Sequence, residues 1–226
     1  MLGTQPDICY TVTTMARFSA NPTEDHLEKA LYICRYLVGT QEYTLFLDGS
    51  KDMGLIAFTD SDWGQDQSDR RSITGFMIKF ADCAINWYSH AQKTVALSST
   101  EAEYMALSDC ARQVTWVQSL LSELGVIIRP IPICADNQGS IFLAQNPVQE
   151  RRSKHIDIKY HHVRECIEDG RVSLCFLEGT RNPADMFTKN LGRVPFYKCL
   201  EHLGLVFDSP YRKVPNNKAI QFKGMR

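Results

Sequence analysis

The segment 97–125, LSSTEAEYMALSDCARQVTWVQSLLSELG, constrains the fold most, because it predicts one long helix. Hydroxyl side chains at Ser98, Ser99 and Thr100 can cap its start, and Gly125 suits the residue just past its end. Between these ends apolar side chains recur at helical spacing. We therefore predict a helix over the whole segment.

The buried face of this helix includes a carboxylate. At about 100° per residue, Glu103 falls on the apolar stripe and Glu101 lies about 160° away, facing water. The apolar residues within about 40° of Glu103 are Leu107, Cys110, Val114, Val117 and Leu121. Glutamate rarely lies on a buried stripe without a partner. Either Glu103 caps the helix in a Thr100-x-x-Glu103 pattern, or it joins other carboxylates around a metal.

The composition indicates an ordinary globular protein. A chain of 226 residues can hold one sizeable core with a small appendage. A net charge of −1 neither indicates nor excludes nucleic-acid binding. The eight cysteines contain no C-x-x-C pair, which disfavours a zinc cluster, and most lie in apolar runs typical of buried, reduced thiols. With no signal peptide and no apolar run of membrane-spanning length, we expect an intracellular protein of the cytoplasm or nucleus, without membrane contact.

The order of predicted elements favours an α/β fold. Residues 1–48 read as a helical segment. Predicted strands cover 54–59, 74–80, 84–88, 130–135 and 172–177. Further helices cover 137–144, 156–169 after a basic loop over 151–155, 182 onward and 196–203. Three successive strands indicate an antiparallel meander, and the later alternation of strand and helix indicates parallel additions. We therefore predict a mixed sheet flanked by helices.

Acidic residues occupy comparable positions in this scheme. Asp60 ends the first strand, with Asp62 as a second choice, and Asp136 ends the strand after the long helix. Ligand sites in such sheets lie at the carboxyl ends of adjacent strands, near the expected start of the Glu103 helix. Asp185, in the first turn of a later helix, can complete the group. Each acid also has a purely structural interpretation: Asp60 as a turn residue, Asp136 as a helix cap, and Asp185 as a complement to a helix dipole.

Convergence of these acids predicts a metal site. Four carboxylates at one end of a sheet repel one another unless a cation lies among them. Oxygen ligands favour Mg²⁺ or Mn²⁺, and two such ions can polarise a phosphate and activate water for hydrolysis.

Five sequence motifs resemble the ribonuclease H domain of copia-type retrotransposon Pol polyproteins. They are FTDSDWGQDQSDRRSITGF, NWYSHAQKTVALSSTEAEYMAL, ICADNQGSIFLAQNPV, KHIDIKYHHVRE and NPADMFTKNL. Residues 5–48, which contain QPDICYTVTTMARFSANPTEDHLEKALYICRYLVGT, resemble the end of the preceding reverse transcriptase. The resemblance implies a helical reverse-transcriptase remnant over 1–48, a ribonuclease H-like domain over 49–192, and a short helix with a polar tail over 193–226. It also implies a five-stranded sheet of three antiparallel and then two parallel strands.

The resemblance implies a metal-dependent nuclease. Asp60, Glu103, Asp136 and Asp185 match the metal-binding, catalytic carboxylates, with two Mg²⁺ or Mn²⁺ ions as cofactors. The expected reaction is hydrolysis of the RNA strand of an RNA–DNA hybrid, in a polyprotein fragment that lacks the polymerase active site. Expected partners are the hybrid and the reverse-transcriptase portion of a polyprotein. The alternative is a catalytically silent or repurposed remnant that at most binds nucleic acid.

Basic residues near the predicted site are candidates for phosphate contacts. Those we single out are Arg70, Arg71, Arg151, Arg152, Lys154 and Arg181. Such charges also suit a solvated face. Many cellular ribonucleases H carry a histidine in the loop before the last acid, whereas residues 178–183 of this chain contain none.

Overall fold

A mixed sheet forms the centre of the protein. The computed structural model describes residues 3–47, 53–146 and 154–206, with backbone alone for 154–158 and 160. Its strands are β1 (Thr44–Leu45), β2 (Leu55–Ser61), β3 (Ile73–Phe80), β4 (Cys83–Ala91), β5 (Ile131–Ala135), β6 (Val172–Phe176) and β7 (Leu205–Val206). The central sheet has the order β4-β3-β2-β5-β6. Because β2, β3 and β4 are antiparallel while β5 and β6 add in parallel, the predicted α/β sheet of three antiparallel and two parallel strands is confirmed.

Six α-helices surround this sheet in the described part of the chain. They are α1 (Cys9–Ala16), α2 (Glu24–Gly39), α3 (Ser99–Glu123), α4 (Gln138–Gln145), α5 (Lys154–Glu168) and α6 (Arg193–Leu203). Among the described residues, none of these helices combines the length and apolar character that crossing a membrane requires.

The long helix α3 covers one face of the sheet, as its sequence predicts. Its buried stripe includes Leu107 and Val114, which belong to the same apolar cluster as Ala57 of β2 and Ile133 of β5. The helix ends just before Gly125, whose φ of +81° is a left-handed conformation that glycine adopts without strain. Packing on β2 and β5 places the start of α3 beside the ends of both strands.

Both ends of the described chain contribute to the opposite face of the sheet. Cys9 of α1 and Leu203 of α6 lie in one apolar cluster with Met77 of β3 and Phe187. The hydroxyl of Thr13 donates a hydrogen bond of 3.0 Å to the backbone oxygen of Ser89 in β4, and β1 pairs with β7. The division of the chain at 48/49 and 192/193 stays a prediction.

The structure differs from the sequence prediction in local detail. The helix expected from Asn182 is a 3-10 helix, Pro183–Phe187. β1 and β7 were not predicted, because two-residue strands show no periodicity. Cys134 and Cys175 form a disulfide, whereas the sequence suggested reduced cysteines. The two cysteines face each other in register in the parallel pair β5 and β6, and the sequence alone does not give that register.

Gly75 allows the segment with Asp185 to lie against the sheet. It pairs with Asp60 in the β2–β3 register. A Cβ atom at Gly75 would lie 2.5 Å from Cγ2 of Thr188 and 2.8 Å from Cβ of Phe187. The absence of a side chain therefore permits close approach of the segment that follows the 3-10 helix.

We predict that Gly75→Ala destabilises the fold, because the added methyl overlaps Thr188 and Phe187. Overpacking of this kind costs about 1–3 kcal/mol. Urea denaturation measures the free energy of unfolding, with Gly54→Ala as the control, since a Cβ there would meet nothing within 4 Å. Equal stability of the two variants would contradict this role of Gly75.

Candidate metal centre

The capping of α3 leaves Glu103 free for another role. The hydroxyl of Ser98 accepts a hydrogen bond of 3.1 Å from the backbone N–H of Glu101. The carboxylate of Glu101 accepts one of 2.8 Å from the N–H of Leu97. Ser98 and Glu101 therefore cap the helix, and the alternative that Glu103 caps it together with Thr100 is wrong.

Glu103 lies in a group of three carboxylates. It is 7% exposed, and its Oε2 atom is buried with no hydrogen-bond partner. One carboxylate oxygen from each of Glu103, Asp60 and Asp136 lies within 4.8 Å of the other two. Asp60, near the end of β2, is fully buried. The buried oxygen of Glu103, which has no hydrogen-bond partner, could therefore serve as a cation ligand.

The carboxylate of Asp136 does not cap helix α4, which begins two residues later, because Asn137 caps that helix. The side chain of Asn137 accepts a hydrogen bond of 2.8 Å from the N–H of Ser140 in the first turn of α4. The interpretation of Asp136 as a helix cap is therefore wrong. A Cβ at Gly179 would lie 2.9 Å from Oδ2 of Asp136, so the loop after β6 passes directly against this carboxylate.

Lys189 connects Asp185 to Asp60, one of the three grouped acids. The ammonium of Lys189 lies 2.9 Å from Oδ1 of Asp185 and 3.1 Å from Oδ1 of Asp60. The hydroxyl of Thr188 donates a hydrogen bond to the other carboxylate oxygen of Asp60. Asp185 lies outside the group of three that share the 4.8 Å limit.

Sequence reasoning missed Lys189 and Thr188. The sequence does indicate an ion pair between Asp185 and Lys189, because residues four apart in a helical segment can form one. Nothing in the sequence indicated that the same lysine reaches Asp60, which lies 129 residues away.

Asp62 has a different role from Asp60. It is 4% exposed, and its carboxylate accepts a hydrogen bond from the backbone N–H of Ile73, across the loop between β2 and β3. This contact closes the loop. Between the two candidates at the end of β2, the structure brings Asp60 and not Asp62 to the other acids.

The crowding of charge shifts the pKa of several groups. Burial, and then the charges of Asp60 and Asp136, raise the pKa of Glu103 to about 9. Burial and the charge of Asp60 raise the pKa of Asp185 to about 6, and the same causes raise the pKa of Asp136. Burial lowers the pKa of Lys189, but Asp60 and Asp185 raise it by more, so the net shift is upward. The site holds more negative charge than one lysine neutralises.

The acids fit a hard divalent cation. Every candidate ligand atom is a carboxylate oxygen, and Oε2 of Glu103 is buried without a partner. Mg²⁺ and Mn²⁺ prefer oxygen ligands, whereas zinc sites usually contain nitrogen or sulfur.

Three of the basic candidates, Arg70, Arg71 and Arg181, lie in segments that follow β2 and β6. Arg70 and Arg71 are exposed in the loop between β2 and β3, and Arg71 Nε lies 3.8 Å from the carboxylate of Asp69. Arg181 is exposed in the 3-10 helix Gly179–Arg181. The remaining candidates are not placed: Arg151 and Arg152 lie outside the described residues, and Lys154 begins α5 with its side chain outside the description. Their contacts with phosphate stay predictions.

Comparison with known proteins identifies relatives over most of the chain. It is 39% identical over 205 residues to the "Retrovirus-related Pol polyprotein from transposon TNT 1-94" of Nicotiana tabacum, covering 91% of this chain and 15% of that protein. It is 37% identical over 203 residues to the polyprotein from transposon RE1 of Arabidopsis thaliana, covering 89% of this chain and 14% of that protein. The chain thus spans a small part of these relatives. No family model matches it.

Among solved structures, LC11-RNase H1, isolated from compost, matches part of this chain. The two chains are 15% identical, and the superposition covers 61% of this chain and 94% of that one with a TM-score of 0.46.

We predict that the stability of the metal-free protein falls as the pH rises from about 4.5 to about 9. The pKa of Glu103 moves from its ordinary value of 4.5 to about 9 on folding, so the folded state binds more protons than the unfolded state across this window. Stability then decreases with rising pH. Urea denaturation at several pH values, with a chelator present, measures the slope.

The matched variants for this measurement are Glu103→Gln and Glu101→Gln. Glu103→Gln should remove much of the slope, because glutamine does not titrate, whereas Glu101→Gln should keep it. An unchanged slope in Glu103→Gln would show that Glu103 ionises normally in the folded protein.

Proposed function

Because the chain belongs to the Pol polyproteins of retrovirus-related transposons, we propose that it is a ribonuclease H of the copia type, which hydrolyses the RNA strand of an RNA–DNA hybrid. The observation that carries this proposal is the group of Asp60, Glu103 and Asp136 at the end of two neighbouring parallel strands. A cluster of buried carboxylates suits phosphodiester hydrolysis, in which negative charge must be neutralised at the reacting phosphate.

We assign the metal ligands to these acids. Asp60, Glu103 and Asp136 would hold a divalent ion, and Asp60 with Asp185 would hold a second, both Mg²⁺ or Mn²⁺. Such ions supply polarisation of the scissile phosphate and a lower pKa for the attacking water. The acids themselves contribute charge and position, and burial under α3 limits the access of water to Glu103.

Neutral hydrogen bonds fix the elements that carry the acids. The amide nitrogen of Gln92 lies 2.9 Å from the backbone oxygen of Ala102 and 3.2 Å from the hydroxyls of Ser61 and Thr74, and its two N–H groups donate among these three oxygens. It therefore joins the ends of β2 and β3 to the residue before Glu103. The amide of Asn182 donates a hydrogen bond of 2.9 Å to the backbone oxygen of Thr59, which holds the segment with Asp185 beside β2. Support of this kind fixes the geometry of a metal site.

The proposed substrate is a nucleic-acid duplex with regularly spaced phosphates. Arg70 and Arg71 lie in the loop after β2, and Arg181 lies in the loop that passes Asp136. We propose that these arginines contact phosphates on either side of the acids, together with Arg151, Arg152 and Lys154. The relatives named above are Pol polyproteins, so we also propose the reverse-transcriptase portion of such a polyprotein as a partner.

We predict that the protein cleaves the RNA strand of a labelled hybrid in the presence of Mg²⁺ or Mn²⁺. Asp136→Asn and Glu103→Gln should each lower the rate by about 100-fold or more, as expected for loss of a group that stabilises charge in the transition state. Denaturing electrophoresis of the labelled strands measures the rate.

Glu101→Gln is the matched control for this assay. It lies on the same helix, two residues before Glu103, and contacts the backbone of Leu97 instead of the other acids. Its rate should stay close to that of the unaltered protein. If the folded protein binds the hybrid but cleaves neither strand, the proposed activity is wrong and the chain is a catalytically silent remnant.

We predict that Arg70→Ala and Arg71→Ala weaken binding of the uncleaved hybrid, measured with a chelator present. Each lost phosphate contact should lower the slope of log affinity against log salt by about one. The control is Arg112→Ala, an exposed arginine on α3 that pairs with Asp109. If all three variants bind with the same salt dependence, the loop after β2 does not contact phosphate.

A further inference from the structure

Lys189 is the cation inside the acidic group. Its ammonium lies between two carboxylates, 3.1 Å from Oδ1 of Asp60 and 2.9 Å from Oδ1 of Asp185. Asp60 is fully buried, whereas the side chain of Lys189 is 33% exposed. The lysine therefore neutralises a buried charge from a position that is open to solvent.

The two oxygens of Asp60 are both engaged. Oδ1 accepts from Lys189 and Oδ2 accepts from the hydroxyl of Thr188. Oε2 of Glu103, in the group that Asp60 forms with Glu103 and Asp136, is buried and has no hydrogen-bond partner. The acidic group thus has two unlike positions. The one bounded by Asp60, Glu103 and Asp136 holds an unpartnered ligand atom, and the one between Asp60 and Asp185 holds an ammonium.

We infer that the Lys189 ammonium occupies the Asp60–Asp185 position in place of a divalent ion and competes with that ion for it. The inference rests on the proposed function, because it takes these acids as metal ligands. A lysine suits this role, since a point charge on a flexible stem leaves a carboxylate pair more easily than a guanidinium does. Its partial exposure gives it a path to solvent.

This arrangement makes the two ion positions unequal. An ion at Asp60, Glu103 and Asp136 gains a carboxylate oxygen of Glu103 that has no hydrogen-bond partner, whereas an ion at Asp60 and Asp185 must first displace the ammonium. The first position therefore fills at low metal concentration, and Lys189 raises the concentration that fills the second. The fraction of protein with an ion at the second position then rises only at metal concentrations above those that fill the first position.

The test uses Mn²⁺ alone as the probe of the full chain, with binding followed by calorimetry and by the electron paramagnetic resonance of free Mn²⁺. The unaltered protein should show a tighter and a weaker class of bound ion. Lys189→Met should strengthen the weaker class by about tenfold or more, because the competing charge is gone. Lys189→Arg should bind the weaker class no more tightly than the unaltered protein, because the guanidinium keeps the charge in place.

Lys159→Met is the control for net charge. Lys159 pairs with Asp109, at 3.2 Å, so its removal changes the charge of the protein by the same amount without touching the four acids. This variant should leave both classes of bound ion nearly unchanged. If it strengthened the weaker class as much as Lys189→Met, the effect would be one of long-range charge and competition would be refuted.

A second measurement keeps the inference testable if Lys189→Met folds poorly. In the unaltered protein labelled with ¹⁵N, the ammonium of Lys189 should give a slowly exchanging signal that disappears as Mg²⁺ fills the weaker class. Persistence of that signal at saturating Mg²⁺, or a Lys189→Met variant with unchanged metal affinity, would overturn the inference and leave the proposed function intact. A protein that binds no Mn²⁺ in any form would overturn both.

Discussion

Repulsion among carboxylates at one end of the sheet is the constraint on which the site depends. Asp60 and Glu103 are buried, and Asp136 and Asp185 lie beside them. Two contacts relieve this crowding, the Lys189 ammonium between Asp60 and Asp185 and the hydroxyl of Thr188 on Asp60, while burial and the neighbouring charges raise the pKa of Glu103.

Hydrogen bonds between α1, β4 and the 3-10 helix Pro183–Phe187 support the segment that carries Thr188 and Lys189. Thr13 of α1 bonds to the backbone of Ser89 in β4, and the Ser89 hydroxyl donates a 2.6 Å hydrogen bond to the backbone oxygen of Phe187. Phe187 directly precedes Thr188 and Lys189. A chain of hydrogen bonds therefore connects the N-terminal helices to the groups that contact Asp60. Arg17, just after α1, adds ion pairs to Asp66 and Asp69 in the loop after β2.

The sequence predicted what local periodicity and strand order determine. The 3.6-residue repeat placed Glu103 on the buried face of α3, and the run of strands placed Asp60 and Asp136 at neighbouring strand ends. It did not predict features that depend on contacts between distant segments. The pairing of Cys134 with Cys175, the reach of Lys189 to Asp60, and the need for glycine at position 75 all require the tertiary structure. The choice of Ser98 as cap also stayed open, because three consecutive residues suited that role equally well.

A crystal structure of the protein grown with Mn²⁺ and recorded with anomalous scattering would test the metal centre directly. We expect an anomalous peak within about 2–2.5 Å of carboxylate oxygens from Asp60, Glu103 and Asp136, at distances typical of oxygen ligands. Glu103 would then coordinate through the oxygen that has no hydrogen-bond partner in the metal-free fold. A well-ordered structure at saturating Mn²⁺ without a peak among these three carboxylates would contradict the assignment of this site as a metal centre.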